Sequence, residues 1–351
     1  MKVVIPLAGK GTRLRPHTYV TPKPLLRVGG QPVLGYILDL LPGLGVREVV
    51  FITGHLREAI EAYVARAYPG LRSHFVYQAV QNGTAGALKL AEPYVDEDLL
   101  IVFVDTLFEA DLGAIAREPT EVAGILWAKE VEDYSRYGVI VADAQGFLTR
   151  IVEKPREPQS DLALVGVYLF KAVILEASRA IKPSWRNELE ITDAIQHLID
   201  NGYQVEAHII NGWWKDTGHL EDLLEANRIV LEDIEPLCAG KVDSESRLDG
   251  RVVVEQGAEI IRSTLRGPAI IGRGSRIVDS YIGPFTSIYY GVTIEGSELE
   301  HSIVMENSSI LNIHSRIEDS LIGKNVEITR SPGRPQTFRL MLGDNSKVGL
   351  I

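Results

Sequence analysis

Short apolar runs alternate with amphipathic stretches along the first third of the chain. Val3, Val4, Ile5 and Leu7 make the first run, which predicts a buried strand. Val33, Leu34, Ile37, Leu38 and Leu41 then recur at helical spacing and stop at Pro42-Gly43. EVVFIT (48–53), HFVYQ (74–78) and LLIVFV (99–104) predict three further strands. The stretch 56–67 and the alanine-rich stretch opening at Gly83 read as the helices between them. Strands alternating with helices in this rhythm argue for a mostly parallel sheet covered on both faces. Ligands of such sheets sit beyond the carboxyl ends of the strands, and Gly9, Gln78 and Asp105 all stand there.

From about residue 121 the strands lengthen: VAGILWA (122–128), GVIVAD (138–143), LTRIVEK (148–154) and ALVGVYLF (163–170). This part reads as an extension on the same domain. Helices over 171–181 and 188–202, a strand over 204–210 and a helix over 219–234 follow. Past about residue 240 the period becomes six, with an aliphatic followed by glycine or a small polar residue. Ile271–Ile277, Ile282–Ile288, Val304–Ile310 and Ile322–Ile328 carry it. A hexapeptide period of this kind marks a β-helix, whose turns bury their aliphatics only against their neighbours. Leu340–Ile351 is expected to cap the solenoid or lie along it.

A length of 351 residues suits two domains, placed at 1–238 and 239–351. The net charge of −11 argues against non-specific nucleic-acid binding, since no compensating basic patch occurs. The cations concentrate instead over residues 10–27. The single cysteine, Cys238, excludes an intramolecular disulfide and a cysteine-built zinc site. No apolar run approaches the roughly 20 residues that span a bilayer, and no signal peptide is visible. A cytoplasmic location without membrane attachment is expected.

The chemistry opens directly after the first strand, in GKGTRLRPHTYVTPKPLL (9–26). Glycines allow backbone N–H groups close to an anion, and Arg13, Arg15 and Lys23 supply fixed positive charge. The dinucleotide fingerprint GxGxxG fails here, because Leu14 stands where its third glycine belongs. The P-loop fails as well, since Val4 lies five residues before Gly9 and Gly11 follows Lys10. A turn-forming glycine pair with solvated arginines is the plain alternative. For metal binding, Asp105 after LLIVFV and Asp216 in GWWKDTG are each well placed, although either alone could be a turn cap.

GxGTRLxP followed by PKP resembles the sugar-phosphate nucleotidyltransferases, and the resemblance extends over the whole chain. It implies a Rossmann-like, mostly parallel α/β catalytic domain followed by a left-handed parallel β-helix. It assigns Leu7, Gly9, Gly11, Thr12, Arg13, Gln78, Gly83 and Asp105 to the nucleotide, with Gln78 on the base. Gly138 of Tyr137-Gly138, Glu153 and Lys154 of EKP, Tyr168, and Arg186 of WRNELEITDAI fall to the sugar phosphate. Asp105 and Asp216 would share Mg²⁺, and Arg13, Lys23 and Lys154 would act directly on the phosphates. Three positions depart from the family pattern: Val104 replaces a glycine, Asn187 replaces another, and only Gly9 survives of a glycine pair. Trp213 and Trp214 are expected in the core. His301 and His314 are expected at the surface or an interface, although some relatives carry an acetyltransferase histidine in this region.

The reaction so implied joins an NTP to a sugar 1-phosphate and releases pyrophosphate. Length, PSWRNELEITDAIQ, GWWKDTG and the β-helix look most like the long-form members that use dTTP and glucose 1-phosphate. Uridylyl transfer to glucose 1-phosphate and guanylyl transfer to mannose 1-phosphate share most of these motifs. A non-catalytic homologue that binds nucleotide sugar would be expected to have lost Lys23, Asp105, Lys154 or Asp216, and all four are present. The β-helix is expected to mediate homo-oligomer formation.

Overall fold

The computed structural model describes residues 1–109, 112, 121–157 and 159–330. The expected cap at Leu340–Ile351 lies outside them. The chain divides into two compact units. The first holds Met1–Thr12, Val20–Leu26 and Gln31–Gly218, and the second holds Arg13–Tyr19, Arg27–Gly30 and the chain from His219 onward.

The first unit is built on one nine-stranded sheet. Its parallel part comprises β1 (Lys2–Pro6), β2 (Glu48–Thr53), β3 (Arg72–Tyr77) and β4 (Leu99–Val102), in the order β3-β2-β1-β4. Val3 pairs with Val49 on one side and Leu100 on the other. Strands β1, β2 and β4 are apolar because helices cover the sheet, whereas the edge strand β3 is more polar and only half-buried; the helices are α1 (Val33–Leu40), α2 (Arg57–Ala67) and the short α3 (Thr84–Lys89). The chain order reverses between β1 and β4, so their ends diverge into a crevice.

Beyond Val102 the chain leaves the sheet and forms a separate short strand, β5 (Thr106–Phe108). The longer strands are β6 (Gly124–Glu130), β7 (Gly138–Ala142), β8 (Leu148–Glu153) and β9 (Leu162–Phe170). The expected extension proves to be part of the same sheet. Strand β9 lies antiparallel to β4, with Val167 opposite Val102, and carries β7 and β8 at its edge and β6 alongside. The sheet is therefore mixed. Helices α4 (Val173–Ala180) and α5 (Ile191–Asp200) lead to β10 (Val205–Ile209), which pairs parallel with β6. Strand β11 (Trp214–Asp216) returns to pair antiparallel with β5. The core between sheet and helices includes Val4, Val50, Ile101, Leu126, Ile140, Phe170 and Ile195.

In the second unit, three sheets of short parallel strands wind into the left-handed β-helix anticipated from the hexapeptide period. The first coils are 17 residues long, one short of three hexapeptides, and later ones are 16 and 18, so the period of six slips in the shorter coils. Ile260, Ile277, Ile294 and Ile310 stack in register, as do Val254, Ile271, Ile288 and Val304. A serine ladder satisfies one corner: Ser246, Ser263 and Ser280 each accept, through Oγ, the backbone N–H of the next serine at 3.0–3.2 Å. Helix α6 (Leu220–Glu232) belongs to this unit. Its fully buried Asn227 accepts from Gly29 N at 2.8 Å and Ser287 Oγ at 2.6 Å, and donates to Phe285 O at 2.9 Å.

Candidate active site

The loop after β1 is pinned before it opens. Leu7 N donates to Ile52 O at 2.7 Å, and Gln81 Nε2 donates to Ala8 O at 2.6 Å. A Cβ on Gly54 would stand 2.7 Å from the same carbonyl, so only glycine permits this approach. Past that anchor the loop is open: a Cβ on Gly9 would meet nothing within 4 Å, and Gly11 takes φ +60°. Thr12 and Arg13 are exposed on a one-turn 3₁₀ segment, Thr12–Leu14.

The cations of residues 10–27 divide. Lys23, set in a 3₁₀ turn between Pro22 and Pro24, lies 3.9 Å from Asp105 Oδ2. Arg15 stacks on the Tyr19 ring at 4.8 Å, and Arg27 pairs with the buried Glu306 at 3.0 Å within the second unit. Arg27, the last cation of the stretch, thus neutralises a buried carboxylate.

Asp105 and Asp216 are brought together by the β5–β11 ribbon. Asp216 pairs with Thr106, and Thr217 donates to the Asp105 carbonyl through both N (2.7 Å) and Oγ1 (2.9 Å). The two residues thus stand at diagonal positions of one ribbon, Asp105 exposed and Asp216 mostly covered. Two hard oxygen donors suit Mg²⁺, which takes one or two carboxylates and completes its shell with phosphate oxygens and water. Among the described residues no group of three or more His, Cys, Asp or Glu gathers at one point where it could hold a metal ion.

Gln78, expected at the base, is buried, and its Nε2 reaches Asn82 Oδ1 at 3.3 Å. Gly83 has φ +106°, and a Cβ there would fall 2.4 Å from Leu189 O. Its neighbourhood is tied to the segment before α5: Leu189 N donates to Asn82 O, Ala85 N to Leu189 O, and Ile191 N to Thr84 Oγ1. Gly83 therefore serves backbone packing at the start of α3.

The residues expected at the sugar phosphate also converge. Gly138 pairs with Glu153 across β7 and β8, and a Cβ on Gly138 would come within 3.1 Å of Glu153 Oε2. Arg186 reaches three carboxylates: Glu190 at 3.1 Å, and Glu153 and Glu188 at 3.4 Å each. Lys154 Nζ lies 3.9 Å from Glu153 Oε1. Burial pushes the Glu153 carboxyl up to about 7, reinforced by the Glu190 charge and opposed by Lys154 and Arg186. Tyr168 is buried in β9, its hydroxyl pKa raised by burial and then by the charges of Glu153 and Asp105. Asn187 adopts φ +60°, a region that glycine prefers and asparagine tolerates, so its replacement of the family glycine preserves the turn. Glu153, Arg186 and Glu190 border a cleft of about 400 Å³.

Three features were not read from the sequence or were read differently. Trp213 and Trp214 are only half-buried, against the expectation of core. Trp214 packs its ring edge-on with Tyr137 at 4.9 Å and donates from Nε1 to Val165 O at 3.3 Å, forming a wall beside Asp216. The buried Thr192 hydroxyl, on a residue close to Gly138, has no hydrogen-bond partner among the described residues. Arg136 Nη2 lies 3.3 Å from Asp216 Oδ2. In the β-helix, His301 pairs with Asp319 at 2.5 Å and His314 is exposed.

The nucleotidyl transferase family profile matches residues 2–233. A glucose-1-phosphate thymidylyltransferase of Streptomyces antibioticus is 45% identical, covering 99% of each chain. Another of Streptomyces griseus is 42% identical over the same shares. A crystal structure of a UDP-glucose pyrophosphorylase complexed with UDP-glucose superposes with a TM-score of 0.61 at 24% identity. It covers 66% of this chain and 99% of its own, and it shows the fold alone. The chain belongs to the nucleotidyltransferase family and is a sugar-1-phosphate nucleotidyltransferase. Enzymes of this family work with a divalent cation.

Proposed function

We propose that this enzyme couples dTTP to glucose 1-phosphate, forming dTDP-glucose and pyrophosphate. The likeness to both thymidylyltransferases supports the reading, because it runs through the β-helix as well as the catalytic part. The observation that supports the chemistry is Lys23 standing 3.9 Å from Asp105, which shares one ribbon with Asp216.

In this reading an oxygen of the sugar phosphate attacks the α-phosphorus of the nucleotide in line. The new P–O bond forms as the bond to the bridging oxygen breaks, and pyrophosphate leaves with the electron pair. The attacking oxygen is already ionised near neutral pH, so no strong general base is required. Positioning and charge stabilisation account for the rate. The N–H groups of the Gly9–Thr12 loop receive the leaving phosphates, and Arg13 shares that task on the strength of the resemblance. Lys23 bridges toward the α-phosphate. Lys154 and Arg186 hold the incoming phosphate against repulsion from the triphosphate, and Glu153 takes sugar hydroxyls. Asp105 and Asp216 would hold Mg²⁺, which supplies charge neutralisation at the phosphates when bound. Gln78 faces the base, and a pyrimidine suits its amide.

Pyrophosphate release with Mg²⁺ across dTTP, UTP, GTP, ATP and CTP, against glucose 1-phosphate and mannose 1-phosphate, tests the reading. Chelator-sensitive release that is fastest with dTTP and glucose 1-phosphate is expected. A different preferred pair would overturn the substrate assignment, and no release from any pair would overturn the activity.

A further inference from the structure

The Arg136 guanidinium occupies the carboxylate that a divalent ion would need. Its Nη2 lies 3.3 Å from Asp216 Oδ2, and Asp216 is only 14% exposed. The contact is built rather than incidental. Asp133 accepts from Ser135 N at 3.1 Å and Ser135 Oγ at 2.6 Å, fixing the 3₁₀ turn Tyr134–Arg136 from which the side chain springs. The guanidinium then lies 5.8 Å from the centre of the Tyr137 ring, and that ring packs against Trp214, two residues before Asp216. Lys154 N donates to Tyr137 O at 3.0 Å, so the same turn is continuous with the sugar-phosphate edge.

We propose that Arg136 is a positioning residue that stands in for the divalent cation at Asp216. Without metal it neutralises and orients the carboxylate, and it withdraws when the ion binds. The physical basis is competition: a mostly covered carboxylate keeps a counter-charge, and a guanidinium and a divalent ion beside the same carboxylate repel each other, so each weakens the binding of the other. Asp105 has Lys23 beside it at the longer distance of 3.9 Å, so the exchange is strongest at Asp216. The inference rests on the assignment of Asp216 to the metal.

The test is direct titration of the full-length, nucleotide-free protein with Mn²⁺, with free Mn²⁺ read by electron paramagnetic resonance. Arg136→Gln is expected to bind Mn²⁺ roughly three- to five-fold more tightly than the unmodified protein, the span reached by removing a partly exposed ion pair. Arg179→Gln removes a distant surface cation paired with Glu92 and is expected to leave the affinity unchanged. Unchanged or weaker binding in Arg136→Gln, or equal tightening in Arg179→Gln, would overturn the proposal. Asp216→Asn separates the two layers of the account. Loss of binding there with no effect of Arg136→Gln removes only the stand-in role. Full binding in Asp216→Asn removes the metal assignment beneath it.

Discussion

Arg186 stands 3.4 Å from Glu153, yet the Glu153 carboxyl keeps a pKa near 7, because burial and the neighbouring Glu190 outweigh the cation. The guanidinium is shared among three carboxylates, so none receives its full charge. Between about pH 4.5, the ordinary value, and about pH 7, the folded protein holds a proton that the unfolded chain has released. Stability from this group is present below that window and is lost as the pH rises through 7. Glu190, whose pKa is also raised by burial, adds in the same direction. Urea unfolding at pH 5, 6, 7 and 8 should show the unmodified protein losing up to about 3 kcal/mol relative to Glu153→Gln. Parallel pH profiles for the two proteins would show that Glu153 is not held protonated.

Replacing Arg186 tests its place at the sugar phosphate. Arg186→Ala removes the cation from Glu153, Glu188 and Glu190 together. The KM for glucose 1-phosphate should rise about ten-fold or more, the loss expected for a charged hydrogen bond, while the KM for dTTP changes less than two-fold. Initial-rate kinetics with each substrate varied in turn decide this, and an unchanged sugar-phosphate KM would remove Arg186 from that subsite.

Asn187 offers a test of backbone conformation that is independent of chemistry. At φ +60° a glycine is relaxed, whereas a β-branched residue is strained. Asn187→Gly should be nearly neutral, and Asn187→Val should cost about 1–2 kcal/mol. Urea midpoints compare the two, and equal stabilities would mean that the turn relaxes.

In the second unit, Asn227 joins α6, the Gly29 backbone and the β-helix through three hydrogen bonds with no solvent access. Asn227→Ala leaves buried donors and an acceptor unmatched and should destabilise this unit by about 2–4 kcal/mol. Hydrogen exchange at Gly29 and Ser287 reports the loss locally. Unchanged protection at both would show that water replaces the amide.

Local periodicity explains what was legible. The runs at 3–7, 48–53 and 99–104 were apolar because helices cover both faces of the sheet, and each became a strand within one to two residues of expectation. The hexapeptide period revealed the β-helix, because each coil repeats the same burial. Long-range pairing was not legible. The ribbon joining Asp105 to Thr217 spans 112 residues, and nothing in TLF or WKD announces its partner. The continuation of the sheet through β9 was hidden for the same reason. Motifs located Asp216, Glu153 and Arg186, but they said nothing of what each touches without substrate. The pairing of Asp216 with Arg136 arises from a loop whose geometry depends on Asp133 and Tyr137. Trp214 was read as core from its size alone, whereas the ribbon carries it to the crevice.

The most direct test of the catalytic account is the turnover of Asp105→Asn with dTTP, glucose 1-phosphate and saturating Mg²⁺, alongside its thermal melt. Asp105 is exposed directly before β5, so the substitution should leave the melting temperature unchanged. A fall in kcat of at least about a hundred-fold, within the range seen when a single charge-stabilising group is removed, is the expected result. Turnover within a few-fold of the unmodified enzyme, with the fold intact, would contradict the assignment of the β1–β4 crevice as the reacting centre.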